Sequence, residues 1–299
     1  MDHPLIQQLL KGDVKALARA ISWIENEHEG YEHLLRGLKA DNGSNVVGIT
    51  GPPGAGKSTL ADAIIGEWVA AGKKVAVLCV DPSSPFNLGA LLGDRIRMSE
   101  WYTHPNVFIR SLATRGSVGG LSPKIIEITD VIRSAGFDQI IVETVGVGQS
   151  EIEIAGLADK TLVVMVPESG DEIQTMKAGL MEIADIFVIN KSDRPDADLF
   201  QKNLRLIMSA SSQAPAQEVP IIKTVATEKR GIGELMAAIE NSLEHDINSD
   251  RHLTLLTEKA WQLLVQKKMK GVNKNQLKQL IRLEYKKQNF NLYSLMEKF

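Results

Sequence analysis

One stretch constrains this chain more than any other: Gly51-Pro52-Pro53-Gly54-Ala55-Gly56-Lys57-Ser58, followed by Thr59. It fits G-x-x-x-x-G-K-[ST], a loop that wraps phosphate groups. Its flanks agree with that reading. Residues 45–50, Asn-Val-Val-Gly-Ile-Thr, read as a short buried strand. Residues 58–71 read as an amphipathic helix with Leu60, Ile64, Ile65, Trp68 and Val69 on one side. Strand, glycine loop and helix follow in the order the chemistry requires. Loop N–H groups and the positive end of the helix dipole face the phosphates. Lys57 is expected between the β- and γ-phosphates, with the Ser58 hydroxyl on Mg²⁺. Gly51, Pro53, Gly54, Ala55, Gly56 and Thr59 complete the expected nucleotide contact. A chance glycine-rich turn would leave the strand and the helix unexplained.

The chain has 299 residues, enough for one large core with smaller appendages. A hydrophobic share of 43% and a charged share of 24% are ordinary for a globular protein. The net charge of −3 gives no electrostatic case for nucleic acid or an anionic membrane. Cys79 is the single cysteine and lies in an apolar run, so no disulfide forms within the chain, which suits a reducing compartment. Met1-Asp2-His3-Pro4 lacks the basic-then-apolar pattern of a signal peptide, and the apolar runs are strand-length. The expectation is a cytoplasmic protein.

Residues 4–38 read as helical throughout, with stripes at Leu5, Ile6, Leu9, Leu10 and at Val14, Leu17, Ala18, Ile21, Ile24. Gly12-Asp13 marks a break, with Asp13 as N-cap. A turn-rich linker follows at residues 40–44. Further strands are expected at 73–80, 106–111, 139–144, 161–166, 185–190 and 221–225. Helices are expected at 123–135 and from Glu151, Asp171, Asp196 and Gly233. Apolar strands separated by helices predict an α/β fold: a mostly parallel sheet flanked by helices, with ligands at the carboxyl ends of the strands. Residues 253–268, 274–288 and 291–298 read as further helices whose leucines and Trp261 exceed what an exposed helix needs. The expected division is 1–43, an N-terminal helical extension; 44–249, the nucleotide domain; and 250–299, a C-terminal helical dimerisation arm.

Asn190-Lys191-Ser192-Asp193 closes an expected strand and fits N-K-x-D, a guanine-reading motif. The Asp193 carboxylate can accept from guanine N1–H and N2–H₂, whereas adenine would leave it unpaired. The Lys191 stem would lie over the base, and N–H groups near Ala226 and Thr227 would complete its recognition. Three acids stand at or near loop starts: Asp81, Asp94 and Glu143. Carboxylates there can hold Mg²⁺ directly or through water. Each could instead be an N-cap or a solvated loop acid. Gly146 could offer its N–H to the γ-phosphate.

Together these residues resemble the MeaB/ArgK GTPases, a family that includes the human methylmalonic aciduria type A protein. The matching segments are residues 51–59, 81–85, 92–98, 143–151, 177–184, 190–193 and 228–232. The string Glu-Thr-Val-Gly-Val-Gly-Gln-Ser-Glu at 143–151 is not a generic GTPase sequence. The resemblance implies a P-loop NTPase of the SIMIBI type and a homodimer that hydrolyses GTP to GDP with Mg²⁺. It implies a chaperone for an adenosylcobalamin-dependent acyl-CoA mutase, usually methylmalonyl-CoA mutase, that gates cofactor delivery from a cobalamin adenosyltransferase. Carried over by position, Lys57 contacts phosphate; Ser58, Asp81, Asp94 and Glu143 form the magnesium and switch shell; Asn190 and Asp193 read guanine. Residues 167–177 would be a further switch loop, with Lys177 as a supplier of positive charge. The catalytic candidates are Lys57, Asp94, Glu143 and Lys177.

Rival classes make different demands. An ATPase or kinase linked to basic amino-acid transport would want a kinase catalytic loop or a membrane segment, and the sequence displays neither. A metallochaperone-type GTPase would want a Cys/His cluster, yet the six histidines show no tight ligand spacing. A nucleotide-binding scaffold would lack turnover.

Overall fold

The computed structural model describes residues 4–38, 43–81, 98–114, 121–144, 153–169, 183–211, 219–244, 250–269, 274–285 and 291–296. Two compact units are present, residues 1–255 and 256–299.

The first unit is built on strands apolar on both faces. These are β1 (Asn45–Thr50), β2 (Val75–Asp81), β3 (Val107–Ala113), β4 (Gln139–Glu143), β5 (Lys160–Met165), β6 (Ile186–Ile189) and β7 (Ile221–Lys223). Alternation along each strand sends one set of side chains to each face. Val46, Ala76, Leu78, Ile140 and Val142 join one core cluster, while Val47, Ile49, Val75, Val77 and Ile141 join another. Such strands must be covered on both sides, and the crossover helices do this. The order is β3-β2-β4-β1-β5-β6-β7, and all seven strands run parallel, so the expected mostly parallel sheet is wholly so.

One face carries α1 (Pro4–Leu10), α2 (Val14–Glu25), α3 (Tyr31–Arg36) and α5 (Ile125–Ser134); α4 (Lys57–Ala70) and α7 (Ile232–Glu244) lie on the other. A smaller cluster unites β5 and β6 with α6 (Ala197–Ser211). Asp13 caps α2 as its position predicts, accepting from Lys15 and Ala16 N–H at 2.8 and 3.0 Å. The expected continuous helicity of residues 4–38 is corrected. α2 stops at Glu25, and Glu27 and Gly30 take left-handed φ of 47° and 89° before α3 starts. α1, α2 and α3 are buried in the same core as the sheet. Lys124, at the start of α5, fastens this layer: its Nζ lies 3.1 Å from Glu27 and 3.2 Å from both Glu127 and the Tyr31 hydroxyl. Burial would lower the Lys124 pKa, but the hydrogen bond to Tyr31, the Glu127 charge and Glu27 carry it well above the usual lysine range.

Three aspartates fix the sheet's amino edge by one device. Asp138, Asp159 and Asp185 each stand before a strand. Their N–H groups donate to Lys74 O, Val46 O and Thr161 O at 2.9, 2.8 and 3.0 Å. Their carboxylates accept from the N–H groups of those same residues at 2.7, 2.7 and 2.8 Å. Each pair closes a small ring with the neighbouring strand, and a one-residue slip would break all three.

Of the other expected helices, that from Glu151 is represented among the described residues by a short 3₁₀ turn, Ile154–Gly156, and that from Asp171 lies outside them. The helix expected from Pro123 starts at Ile125. After α7 come α8 (Asp250–Met269), α9 (Lys274–Tyr285) and α10 (Leu292–Met296), of which α9 and α10 lie wholly in the second unit. Among the described residues, no helix is long and apolar enough to cross a membrane.

Candidate functional site

β1 lies at the point where the strand order turns, with β4 on one side and β5 on the other. A crevice outside the carboxyl ends of the strands opens at such a point. The loop from Gly51 to Gly56 leaves β1 there and enters α4. Two glycines are demanded by geometry. Gly51 sits at φ 137°, and a Cβ on it would lie 2.0 Å from Val164 O. Gly56 sits at φ 88°, and a Cβ there would lie 2.4 Å from Asn190 Nδ2. Gly56 is the N-cap of α4 and supplies no side-chain cap. The first-turn N–H groups are therefore oriented for an anion. Pro53 and Gly54 are exposed at the loop's crest, and Ala55 is buried beneath it.

Lys57 opens α4, and its side chain is almost fully buried at 6% exposure. Its Nζ donates to Gly51 O at 2.8 Å and Pro52 O at 3.0 Å, which curls the ammonium back over the loop. Ser58 Oγ donates to Glu143 Oε1 at 2.7 Å, with both residues buried. Glu143 ends β4, and Cys79 on β2 pairs with it in register, so Asp81, two residues further on, lies at the same sheet edge. The structure thus brings Ser58 and Glu143 into contact and sets the Asp81 backbone beside them. The Asp81 side chain, Asp94, Gly146 and Lys177 fall outside what is described. Below Glu143, Thr144 Oγ1 lies 3.0 Å from Thr50 Oγ1, tying the ends of β1 and β4 together. No described group of three His, Cys, Asp or Glu forms a closed metal cage. A hydroxyl and a carboxylate touching beside an anion cradle are instead the hard oxygen donors that Mg²⁺ shares with nucleotide phosphates.

The base side of the crevice is a pocket of ≈ 210 Å³ lined by Gly56, Thr59, Asn190, Lys191, Asp193, Arg194, Val225, Ala226 and Thr227. Asn190 is 2% exposed, and its amide is turned inward. Nδ2 donates to Ala55 O at 2.9 Å, while Oδ1 accepts from Thr224 Oγ1 at 3.1 Å and Ala226 N–H at 3.2 Å. Its visible task is to hold the phosphate loop against the loop after β7. Lys191 takes a left-handed φ of 55°, and its Nζ donates to Gly54 O at 2.7 Å. Asp193 is exposed at the pocket's rim and makes no ion pair with the described residues. Two contributors escape a reading by motif. Thr224 holds Asn190 from the end of β7. Arg194 follows Asp193 and pairs with Glu168 in the 3₁₀ turn Pro167–Ser169. The only sequence signal for either is its position beside a motif.

An anion cradle at a helix N-terminus, sharing a crevice with a pocket that presents a carboxylate without an ion pair among the described residues, defines a P-loop nucleoside triphosphatase. Residues 17–280 match the family described as methylmalonyl-CoA mutase-associated GTPase MeaB, and the chain belongs to that family of GTP-hydrolysing enzymes. A protein of Pyrococcus abyssi named as a GTPase is 49% identical over 248 residues, 82% of this chain and 76% of that one. GTPase ArgK of Escherichia coli is 36% identical over 246 residues, 78% of this chain and 73% of that one. A solved structure described as LAO/AO transport system kinase aligns with a TM-score of 0.70 at 26% identity, covering 98% of this chain and 94% of that chain.

Proposed function

We propose that this chain is a Mg²⁺-dependent GTPase whose nucleotide state controls an adenosylcobalamin-dependent acyl-CoA mutase, in the first place methylmalonyl-CoA mutase. The observation that carries the nucleotide chemistry is the buried Ser58–Glu143 contact at the mouth of the phosphate loop. Mg²⁺, when bound, neutralises developing phosphate charge. Ser58 would be its direct ligand, with Asp81, Asp94 and Glu143 holding the ion or its waters. Lys57 binds the β- and γ-phosphates, and Asp193 selects guanine over adenine. Gly146 and Lys177 belong to the segments that would respond to the third phosphate. The partner reading draws on the family's name, which describes a GTPase associated with methylmalonyl-CoA mutase, and on the matching segments around these loops.

The test is steady-state GTP turnover by the whole protein with and without a purified cobalamin-dependent acyl-CoA mutase from the same source. A rise of about tenfold is expected, within the usual range of coupling between two sites. By linkage, GTP should then change the mutase's binding affinity by the factor through which the mutase changes GTP binding. Unchanged turnover together with unchanged affinity would remove the partner from the proposal and leave a free-standing GTPase. A cobalamin adenosyltransferase is the natural second partner in the same assay.

We also propose that two copies associate through the C-terminal helices. Trp261 and Leu264 on α8, Leu283 and Tyr285 on α9, and Tyr293 on α10 are all exposed; Tyr293 reaches 83% and Leu283 68%. A solvated helix seldom carries so many large apolar side chains. Light scattering is expected to give twice the chain mass for the whole protein and a single chain mass for one ending at Ser249. An unchanged mass after truncation would exclude residues 250–299 from the interface.

A further inference from the structure

The guanine-reading carboxylate has two cations beside it in the same pocket, Lys191 and Arg194. Either could occupy the acceptor that the base needs. An arginine–carboxylate pair is charge-assisted and fits two oxygens at once. Arg194 directly follows Asp193, both side chains are exposed, and both line the pocket. Yet neither cation is spent on Asp193. Lys191 Nζ is held by Gly54 O at 2.7 Å, and the Arg194 guanidinium is held by Glu168. Glu168 comes from another part of the chain, the turn Pro167–Ser169 just beyond β5. Its slight burial would raise its carboxyl, but the Arg194 hydrogen bond and the charges of Arg194 and Lys191 hold it below the ordinary range. Its carboxylate is the partner of the Arg194 guanidinium.

We propose that Glu168 is a specificity-determining positioning residue: it draws the Arg194 guanidinium off Asp193 and so keeps the guanine-reading carboxylate open. The inference rests on the reading of Asp193 as the guanine selector. It adds a residue outside the N-K-x-D motif on which selection depends. It also connects base recognition to the turn that leads into residues 170–182.

The sign of a double substitution makes the idea testable. Glu168→Gln keeps size and polarity but releases Arg194, which then competes for Asp193. GDP affinity of the whole protein should fall by about three- to fivefold, the size one exposed ion pair can impose. ADP binding, measured by competition against fluorescent GDP, does not use the Asp193 pair and should stay constant, so the GDP-to-ADP preference falls by the same factor. Adding Arg194→Gln to Glu168→Gln removes the competitor and should restore the preference. A merely structural role for Glu168 would weaken GDP and ADP alike, and the second substitution would not rescue either. Either of those results overturns the proposal, as does an unaltered preference in Glu168→Gln. If the unmodified protein already binds ADP as well as GDP, the guanine reading fails first and this inference falls with it. A parent that prefers GDP combined with an insensitive Glu168→Gln removes this inference alone.

Discussion

Lys57→Ala is expected to lower GTP turnover by about 10²–10³-fold, the loss typical when one preorganised charge leaves a transition state. Lys57 is buried at the first residue of α4, where helix dipole and loop N–H groups already favour an anion. Its ammonium rests on two loop carbonyls, Gly51 O and Pro52 O. Those are neutral acceptors, and a triphosphate oxygen is a far stronger partner in a partly desolvated site. Removing Lys57 deletes a charge-assisted contact worth about 1.5–3 kcal/mol in the ground state, and more where phosphate charge shifts during cleavage. GDP affinity should fall less than turnover. Phosphate release assays with titrations of a fluorescent GDP analogue check both. Turnover within about threefold of the parent would mean that the cradle holds the γ-phosphate without this side chain.

The second large effect is a change of base. Asp193→Asn should weaken GDP by about a hundredfold or more, because a site built to hydrogen-bond a substrate discriminates strongly once the match is broken. On the proposed reading the carboxylate would accept from N1–H and N2–H₂ of guanine together, and an amide would turn one of those contacts donor-to-donor. Xanthine carries an oxygen at position 2, to which the introduced amide can donate, so xanthosine diphosphate should become the preferred ligand. Asp193 is exposed, so this exchange should need no repacking of a core. Competition of guanosine, xanthosine and adenosine diphosphates against one fluorescent nucleotide reads the order directly. An order left unchanged would show that another group selects the base.

The two substitutions fall on residues whose local patterns are strong. Glycines that must avoid Val164 O and Asn190 Nδ2, a lysine at a helix start and an apolar strand before them leave a dense signature, so the phosphate cradle is legible in one dimension. The strands are legible too, because both faces are apolar and β1 falls on the very residues its pattern predicts. What stays hidden depends on pairing between distant segments. The rings closed by Asp138, Asp159 and Asp185 look in sequence like three unrelated acids before strands. Asn190 is legible as part of a guanine motif, but not as a clasp, since its partners Ala55 and Thr224 lie far apart in the chain. The break before α3 has a local signal, the run 25–30 that carries no apolar side chain and ends in Gly30, which a reading from the flanking stripes passes over; Glu27 and Gly30 reverse the backbone there. Glu168 carries no pattern at all until β5 and β6 bring it over Arg194.

The inward-turned amide of Asn190 has a kinetic consequence. One side chain joins the phosphate loop to the loop after β7, so the frames proposed to receive the base and the first two phosphates are hydrogen-bonded to each other before any nucleotide is present. Their arrangement is settled when the chain folds, so a nucleotide arriving there has little ordering left to impose. Guanosine di- and triphosphate then meet the same seat at base and β-phosphate, and discrimination between them is left to whatever touches the third phosphate alone. On the proposed reading, nucleotide exchange would leave this junction intact, and only the presence or absence of that last group would be reported.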